Sequence, residues 1–278
     1  MGENPAVSVL VATYKGEYLR ETLASITAQS YGNFEVLVLD DANDPDCRQL
    51  VEDLHDGRFV YVSNLTPLRP ALNHSKGIQL ARAPYISILN HDDLWTPDVL
   101  RNLVPVLDRE PAAVAVFARA RVANEHGTFD ETRTIEVWRD WRCTNYPVGL
   151  ILDWFSVAEA NPSIPAGPCT LFRASVLKQI SIPAVVGGMY DAWIGYKVAA
   201  AGPVVHEESA IGLWREHSDN LTRARSKKRS MERIYFNFKL STDSALPAER
   251  RVSAAIKLPR SLAAWAKDAV LGARKVDR

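Results

Sequence analysis

Two apolar runs near the start of the chain decide its fold class: Val7-Ser-Val-Leu-Val-Ala-Thr-Tyr14, followed by Phe34-Glu-Val-Leu-Val-Leu-Asp-Asp41. Both runs are short, nearly continuous and rich in β-branched residues, which is typical of strands buried on both faces of a sheet. Three further runs of this kind occupy residues 59–62, 85–89 and 114–118. The sequence therefore predicts five buried strands within its first 120 residues.

Amphipathic segments separate these runs, and their apolar residues recur at helical spacing. Two of the segments begin with typical helix-start signals, Asp44 before Pro45 and Thr96 before Pro97. Alternation of strands with helices predicts βαβ units and an α/β fold with a mostly parallel sheet. Residues 120–165 are predicted to be an irregular, aromatic region near a pocket, and residues 223–232 a linker.

Composition points to an ordinary globular protein whose charge is unevenly distributed. The 278 residues are 47% hydrophobic, and Lys+Arg and Asp+Glu both number 33, so net charge gives no argument for binding nucleic acid. Residues 226–278 hold 13 Lys and Arg against 5 Asp and Glu, whereas residues 1–225 hold 20 against 28. This asymmetry predicts two regions, an acidic body over residues 1–225 and a basic helical C-terminal extension over residues 226–278.

Cysteine usage and the N-terminus predict a cytoplasmic protein, with contact at the inner face of a membrane as an open possibility. The three cysteines are far apart and form no paired spacing, which argues against a disulfide framework or a zinc site. The N-terminus lacks a basic leader, and no apolar run is long enough to span a bilayer.

Acidic pairs follow two of the predicted strands. Asp40-Asp41 ends the second run, and Asn90-His91-Asp92-Asp93 ends the fourth. If the strands are parallel, both pairs lie at the carboxyl edge of the sheet, where open α/β sheets bind ligands. Carboxylates gathered there suit a hard divalent cation that in turn binds a diphosphate. The alternative is that each Asp is a turn residue or a helix cap.

Signatures of other nucleotide-binding folds are missing. The first run is followed by Thr13-Tyr14-Lys15-Gly16, which matches neither the dinucleotide-binding glycine pattern nor the P-loop pattern. Tyr14 is placed to stack on a base or simply to cover the edge of the sheet.

Four further motifs follow the first two runs along the chain: Ala83-Pro-Tyr-Ile86 leading to Asn90-His-Asp-Asp93, Gly167-Pro-Cys-Thr-Leu-Phe-Arg173, Gly187-Gly188 with Asp191-Ala-Trp193, and Trp214-Arg-Glu-His217 with Asn220-Leu-Thr222. The ordered set resembles family 2 glycosyltransferases, which are inverting enzymes of the GT-A fold, and the resemblance covers about residues 5–225. It implies a GT-A catalytic domain over residues 1–225, with a nucleotide-sugar half over residues 1–120 and an acceptor half over residues 121–225.

For the donor nucleotide, the resemblance implies a pocket lined by Ala12, Thr13 and Tyr14. Asp41 would bind the base or the ribose, and Arg69 would contact the base or the diphosphate. The implied donor is a nucleotide-diphosphate sugar, and the implied acceptor is a glycan, a lipid-linked saccharide or a small molecule.

For the chemistry, the resemblance implies a cation, Mg²⁺ or Mn²⁺, held by Asp93, with His217 approaching the metal or the diphosphate. Asp92 would face the sugar and ribose, and Arg215 in the closing motif would bind the donor. Asp191 would be the general base that takes the proton of the acceptor hydroxyl.

The sequence departs from the family pattern at three positions. His91 stands where an Asp is common in the metal motif, Tyr190 replaces the Glu that usually precedes the base, and Ser75 replaces a frequent Asn. Two other functions were weighed. A sugar-1-phosphate nucleotidyltransferase would carry a Gly-rich basic loop after the first strand. A non-catalytic nucleotide-sugar or glycan-binding protein would be expected to lack Asp41, Asp93 and Asp191.

The basic extension keeps a helical apolar period from residue 252 to residue 273, and Pro259 is predicted to split that helix in two. A basic amphipathic helix containing Trp265 suits a membrane surface. The same stripe also suits packing on the catalytic domain or a homodimer interface.

Overall fold

The computed structural model describes residues 4–14, 16–158, 164, 167–218, 220 and 227–276. The strands are β1 Val7–Thr13, β2 Phe34–Asp40, β3 Phe59–Ser63, β4 Tyr85–Asn90, β5 Leu94–Trp95, β6 Ala115–Phe117, β7 Arg121–Ala123, β8 Phe129–Asp130, β9 Gly149–Ile151, β10 Thr170–Arg173, β11 Val204–His206 and β12 Gly212–Arg215. The helices are α1 Leu19–Thr27, α2 Pro45–Glu52, α3 Arg69–Leu80, α4 Val99–Arg109, α5 Glu131–Asp140, α6 Trp154–Val157, α7 Ala174–Leu177, α8 Tyr190–Ala201, α9 Lys227–Thr242 and α10 Ala248–Val276. A 3₁₀ helix, Ala184–Met189, precedes α8.

Eight strands form the central sheet, in the order β3-β2-β1-β4-β10-β6-β11-β9. The first four strands of this order are mutually parallel, β10 is antiparallel to both of its neighbours, and β6 pairs with β11 in parallel. A smaller sheet has the order β5-β12-β7-β8. The predicted α/β class with a mostly parallel sheet is therefore confirmed.

Strand β1 lies between β2 and β4, and its register aligns the ends of all three strands. Thr13 pairs with Asp40 and Ala12 pairs with Asn90. Because the three strands are parallel, the segments that follow them leave the sheet at the same edge. Both acidic pairs predicted from the sequence thus lie at one carboxyl edge.

Apolar side chains cover both faces of this sheet. Along β1, Val7, Val9 and Val11 join one hydrophobic cluster while Leu10 joins the other, as the two-residue period of a strand requires. Helix α3 approaches one face closely: a Cβ at Gly77 would lie 2.3 Å from Leu39 Cδ1. Glycine at this position lets α3 pack directly on β2.

The five predicted strands are all present, with bounds within one residue of the prediction. The start of α2 is also confirmed, because the Asp44 side chain accepts a hydrogen bond from the Asp46 amide and Pro45 is the first helical residue. The start predicted at Thr96 was placed too early. Helix α4 begins at Val99, and the Thr96 hydroxyl donates to the Ile211 carbonyl instead.

The prediction of an irregular region over residues 120–165 was wrong for much of that stretch. It contains β7, β8, α5, β9 and α6. Helix α5 begins normally, since the Asp130 side chain accepts a hydrogen bond from the Arg133 amide. The short strands here carry too few residues for a periodic signal, and the exposed charges of α5 obscure its apolar face.

Two predictions about the C-terminal extension were also wrong. Residues 227–232 belong to α9 rather than to a linker, while residues 223–226 lie outside the described residues. Helix α10 continues through Pro259 without interruption. Pro259 has no N–H to donate to the carbonyl of Ala255, four residues earlier. Both residues are exposed, so water can donate a hydrogen bond to that carbonyl instead.

Helices α9 and α10 form an antiparallel hairpin joined by residues 243–247. Helix α9 packs its inner side on the 3₁₀ helix and on α8, where Phe236 contacts the rings of Trp193 and Tyr196. Gly187, at φ 51°, permits this approach, because a Cβ there would collide with the Glu232 side chain. Within the described chain, none of the helices combines the length and apolarity needed to cross a membrane.

Candidate active site

The two aspartates after β2 have different environments. Asp40 accepts hydrogen bonds from the amides of Ala42 and Asp44 and from the Tyr61 hydroxyl, so it stabilises the turn into α2. Asp41 is buried and faces the start of α3: its carboxylate accepts from the amides of Leu68 and Arg69. The turn-residue alternative therefore describes Asp40, whereas Asp41 lies at the carboxyl edge beside the segment that leads to Arg69.

A network of buried polar side chains supports the Asp41 carboxylate. Asn64 donates to Asp41 Oδ1 and to Asn73 Oδ1, each at 2.9 Å, and Lys76 Nζ donates to Asn64 Oδ1 at 2.7 Å. Asn73 in turn donates to the Leu39 carbonyl. The side-chain amides of Asn64 and Asn73 both have hydrogen-bond partners, so the network holds the Asp41 carboxylate in one position.

Arg69 is the first residue of α3 and has a φ of 67°. This conformation is uncommon for a residue with a Cβ and is held by the hydrogen bond from its amide to Asp41. Its side chain is exposed, and its guanidinium makes no hydrogen bond or ion pair to any described residue. The strained backbone thus presents a free cation next to Asp41.

The nucleoside-pocket residues predicted at the end of β1 lie at the same edge. Thr13 is buried, and its hydroxyl has no hydrogen-bond partner within the described chain, while its carbonyl accepts from the Asp41 amide. Ala12 is half-buried, and Tyr14 is 54% exposed at the strand's end. Tyr14 therefore presents an open aromatic face beside Asp41, as stacking on a base would require.

The turn after β4 brings Asp92 and Asp93 together. Asp93 is 2% exposed, and its carboxylate accepts from the Arg215 amide at 3.1 Å and from the Asn90 side chain. Burial, followed by the nearby charge of Asp92, raises the pKa of Asp93 well above its usual value. A cation bound at this turn would neutralise the negative charge of its two carboxylates.

Arg215 is fully buried, and its guanidinium is engaged by protein groups. It donates to the carbonyls of Asp92 and Glu125 and to the Glu21 carboxylate. The guanidinium also lies over the Tyr18 ring at 4.5 Å. These contacts brace the turn that carries both aspartates, so the predicted direct contact between Arg215 and the donor does not match its burial.

His217 lies two residues beyond Arg215 and closes the same corner. Its Nε2 is 3.1 Å from Asp92 Oδ2, and its ring is 4.9 Å from the Tyr18 ring. The Asn220 side chain accepts from the His217 amide and donates to the Arg215 carbonyl. The described part of the closing motif, residues 214–218 and 220, therefore folds onto the acidic turn, with His217 against Asp92 rather than against Asp93. Leu221 and Thr222 lie outside the described residues.

The start of α8 is tied to this corner through Tyr190. The Tyr190 hydroxyl donates to Asn90 Oδ1 at 2.7 Å, and its ring stacks on His74 of α3 at 3.8 Å. His74 Nδ1 lies 2.7 Å from the Pro70 carbonyl oxygen. Because a carbonyl oxygen can only accept a hydrogen bond, Nδ1 carries the proton and donates it. Burial lowers the pKa of His74 to about 4.

Asp191 follows Tyr190 and points outward. It is exposed, lies in the first turn of α8 and accepts from the Ala192 amide at 2.7 Å. The N-cap of α8 is Met189, so Asp191 is not the capping residue. An exposed carboxylate held next to the acidic turn by Tyr190 is suitably placed to act on a bound acceptor.

A divalent cation fits this corner only with help from the substrate. Within the described residues, no group of three or more His, Cys, Asp and Glu side chains is arranged to hold a metal ion. Mg²⁺ sites in enzymes commonly use one or two carboxylates and complete their coordination with water and substrate phosphates. The adjacent carboxylates of Asp92 and Asp93 meet that requirement.

The sequence did not single out several residues that build the site. Asn64, Glu21, Tyr18 and His74 were not identified, and Tyr190 was noted only as a departure from the family pattern. A signal existed for Asn64, which lies two residues after the third predicted strand and directly follows β3, at the same edge as the acidic pairs. The others contact the site through elements distant in sequence, which no local pattern reveals.

Comparison with known proteins gives the family context. The family model described as Glycosyl transferase family 2 matches residues 8–181. An uncharacterised glycosyltransferase of Methanocaldococcus jannaschii, MJ1057, is 23% identical over 69% of this chain and 64% of that protein. The poly-beta-1,6-N-acetyl-D-glucosamine synthase of Staphylococcus epidermidis is 26% identical over 63% of this chain and 41% of the synthase. The chain thus spans less than two thirds of these relatives.

Solved structures of low sequence identity share the fold. S. aureus TarS 1-349 in complex with UDP-GlcNAc has a TM-score of 0.64 at 15% identity, with 92% of this chain and 72% of that one covered. The mannosyltransferase PcManGT from Pyrobaculum calidifontis, in complex with GDP-Man and Mn²⁺, has a TM-score of 0.63 at 21% identity, covering 96% and 75%. At these identities both likenesses concern the fold alone.

Proposed function

The chain belongs to glycosyl transferase family 2, and on that premise we propose that it transfers a sugar from a nucleotide-diphosphate donor to a hydroxyl of a glycan or glycolipid acceptor. We further propose inversion at the anomeric carbon and dependence on Mg²⁺ or Mn²⁺. The observation that carries the proposal is the convergence of Asp41, the Asp92-Asp93 turn and the start of α8 at the carboxyl edge of β1, β2 and β4.

The donor nucleotide would lie over the ends of β1 and β2. Asp41 Oδ1 and Oδ2 accept three hydrogen bonds from the protein, which leaves the carboxylate able to accept one more from a base or a ribose hydroxyl. Tyr14 offers an exposed ring for stacking. Arg69 supplies an unpaired positive charge for the diphosphate. Two structural neighbours bound to UDP-GlcNAc and GDP-Man support a nucleotide sugar as the ligand.

Asp93 would hold the cation, with Asp92 beside it. A bound cation would neutralise negative charge on the departing diphosphate. Arg215 would act by positioning, because it fixes the Asp92 carbonyl and the Asp93 carboxylate without reaching the surface. His217 would act from Asp92 as a hydrogen-bonding group near the diphosphate.

Asp191 would serve as the base. It would accept the proton of the acceptor hydroxyl while the hydroxyl oxygen forms a bond to the anomeric carbon. The bond from that carbon to the diphosphate oxygen would break in the same displacement, and the electron pair would leave with the diphosphate. One displacement from the face opposite the leaving group inverts the anomeric centre.

A donor-hydrolysis assay tests this function without knowledge of the acceptor, because water can replace the acceptor hydroxyl slowly. We expect one or more sugars from a panel of UDP, GDP and dTDP derivatives to release nucleoside diphosphate in the presence of Mn²⁺. The released sugar should have the anomeric configuration opposite to that of the donor. A donor that binds but is never hydrolysed by wild type would indicate a non-catalytic binding protein. Retention of configuration would contradict the single displacement.

A further inference from the structure

The α9–α10 hairpin exposes five large apolar side chains to solvent. Met231 and Phe238 of α9 and Val252, Ile256 and Leu262 of α10 are each between 46% and 63% exposed. These five residues are called the outward face below. Along α10 the exposed positions 252, 255, 256, 259, 262, 263 and 266 follow the three-and-four spacing of one helical stripe.

Leu262 lies where the exposed stripe of α10 meets the exposed apolar side chains of α9. Asn237 of α9 donates a buried hydrogen bond to Ser261 of α10, which marks the line where the helices meet. When two antiparallel helices face each other at one pair of residues, the next residue of each helix points to the same side of the helix pair. Phe238 and Leu262 therefore lie on the same side of the hairpin, and Met231 lies two turns before Phe238 on the same face of α9.

Positive charge borders this apolar surface. Arg260 and Lys267 of α10 are exposed at the edge of the stripe, and Lys257 is exposed further round the helix. The extension as a whole, residues 226–278, carries 13 Lys and Arg against 5 Asp and Glu, whereas residues 1–225 carry 20 against 28. A negatively charged surface would attract the hairpin and repel the catalytic domain, so it would orient the molecule with the hairpin toward it.

We propose that the outward face docks on a bilayer surface that contains anionic lipids. The apolar residues enter the boundary between headgroups and acyl chains, and the basic residues at its border contact the headgroups. The exposed apolar stripe lies parallel to the axis of α10, so the helix lies in the plane of the interface. This proposal extends beyond the transferase function and does not depend on it.

A second copy of the chain is a poorer occupant of the same surface. A symmetric dimer through the outward face would bring two basic borders together, and like charges in contact oppose association. Anionic headgroups instead compensate the same charges. The alternative of packing on the chain's own catalytic domain does not apply to these five side chains, because they are exposed while α9 already packs its opposite side there.

Docking in this orientation has a consequence for the site. The inner side of α9 contacts α8 through Phe236, and α8 begins with the segment that carries Asp191. Phe238, two residues after Phe236, is exposed on the other side of α9. Docking through that side would therefore leave α8 and the exposed Asp191 side chain outside the bilayer.

Co-sedimentation with unilamellar vesicles tests the proposal in the full chain and without any nucleotide sugar. The vesicles are made of phosphatidylcholine alone or of phosphatidylcholine mixed with phosphatidylglycerol, whose anionic headgroups attract basic segments. We expect wild type to bind the anionic vesicles and to be released at about 0.5 M salt, where charges are screened within a few ångström. Binding should be weak to the neutral vesicles.

Two sets of substitutions on exposed residues separate the contribution of the apolar stripe to vesicle binding from that of the basic residues. Val252→Ser, Ile256→Ser and Leu262→Ser together remove the stripe on α10, and we expect at least about tenfold weaker binding to anionic vesicles. Lys257→Gln, Arg260→Gln and Lys267→Gln together should weaken binding and its salt dependence. The matched control is Leu65→Ser, Val148→Ser and Leu152→Ser, three exposed apolar residues outside the hairpin, which should bind as wild type does.

Thermal melting and solution mass accompany each variant. Equal melting temperatures for wild type and the stripe variant, with binding lost only in the latter, support docking by the outward face. Wild type that stays in the supernatant with anionic vesicles at low salt overturns the proposal. A wild-type dimer that the stripe substitutions convert to a monomer, with no vesicle binding by either, overturns it in favour of a second copy. Failure of donor hydrolysis would leave these outcomes unchanged.

Discussion

The hydroxyl of Tyr190 donates a 2.7 Å hydrogen bond to Asn90 Oδ1, which joins the first residue of α8 to the last residue of β4. The Asn90 side chain also contacts the Asp93 carboxylate. Asp191, the proposed base, and Asp93, the proposed metal ligand, are therefore linked through two neutral side chains. Tyr190 stands where the family pattern has a Glu, and in this chain it couples the two halves of the site.

Tyr190→Phe should raise the Mn²⁺ concentration needed for half-maximal donor hydrolysis, because Asn90 loses the contact that orients it toward Asp93. Loss of this partly buried hydrogen bond should also lower stability, by about 1 kcal/mol. The control is Tyr196→Phe, which removes a hydroxyl from the same helix without breaking a hydrogen bond to the site. A lower melting temperature with unchanged Mn²⁺ dependence would restrict Tyr190 to a structural role.

Arg69→Ala should weaken binding of the free nucleoside diphosphate by roughly 1–3 kcal/mol, since a charge-assisted contact is lost. The melting temperature should not change, because the Arg69 side chain is exposed and only its amide bonds to Asp41. Calorimetric titration measures the affinity, and Arg101→Ala, another exposed arginine, is the control. Equal affinities for Arg69→Ala and wild type would mean that the diphosphate lies elsewhere.

Asp41→Asn should lower both nucleotide affinity and thermal stability. The carboxylate accepts from two backbone amides and from Asn64, and an amide group can replace only part of that acceptor capacity. The comparison with Arg69→Ala is informative because the two residues are adjacent in the site. An Asp41→Asn variant that loses stability but keeps full nucleotide affinity would limit Asp41 to supporting the start of α3.

Asp191→Asn should reduce donor hydrolysis by a factor on the order of 100 or more, which is typical when a general base is removed. Donor affinity and melting temperature should stay near those of wild type, because the residue is exposed and the N-cap of α8 is Met189. The asparagine can still accept the hydrogen bond from the Ala192 amide. A fall in melting temperature that matches the fall in activity would argue against a catalytic role.

Acid should destabilise the fold through His74. Burial lowers its pKa to about 4, below the value near 6.5 of the unfolded chain, so between these pH values the unfolded state binds more protons. Stability is therefore full above pH 6.5 and falls as the pH decreases toward 4, by up to about 3 kcal/mol. His74→Gln should flatten this dependence in urea unfolding measured from pH 7 to pH 4.5.

His206→Gln gives the comparison for the acid series, because burial also lowers the pKa of His206, far from the acidic turn. Each substitution should remove only its own share of the pH dependence. If His74→Gln leaves the wild-type dependence intact, the buried neutral state of His74 is contradicted.

The sequence predicted the elements whose signal is local. Each of the two runs that end at Asp41 and Asp93 is an unbroken stretch of sequence, so the apolar pattern predicts both strands. The rule that parallel strands end at one edge of a sheet then predicts their shared edge. The role of Arg215 could not be predicted in this way, because its burial depends on Glu21, Asp92 and Glu125, three separate segments. Pro259 misled the prediction, because an exposed carbonyl can be satisfied by water and the packing of α10 on α9 outweighs a local helix-breaking signal.

The most direct test of the central claim is the Mn²⁺ dependence of donor binding in wild type, Asp93→Asn and Asp46→Asn, measured by calorimetry with the nucleotide sugar that wild type hydrolyses. Asp46 is an exposed aspartate of α2 and serves as the control. We predict that Mn²⁺ strengthens donor binding at least about tenfold in wild type and Asp46→Asn but not in Asp93→Asn, because an amide is a poorer ligand for a hard cation. Donor binding in wild type that is equally tight in EDTA, or an Mn²⁺ effect that survives in Asp93→Asn, would contradict a cation held at the Asp92-Asp93 turn.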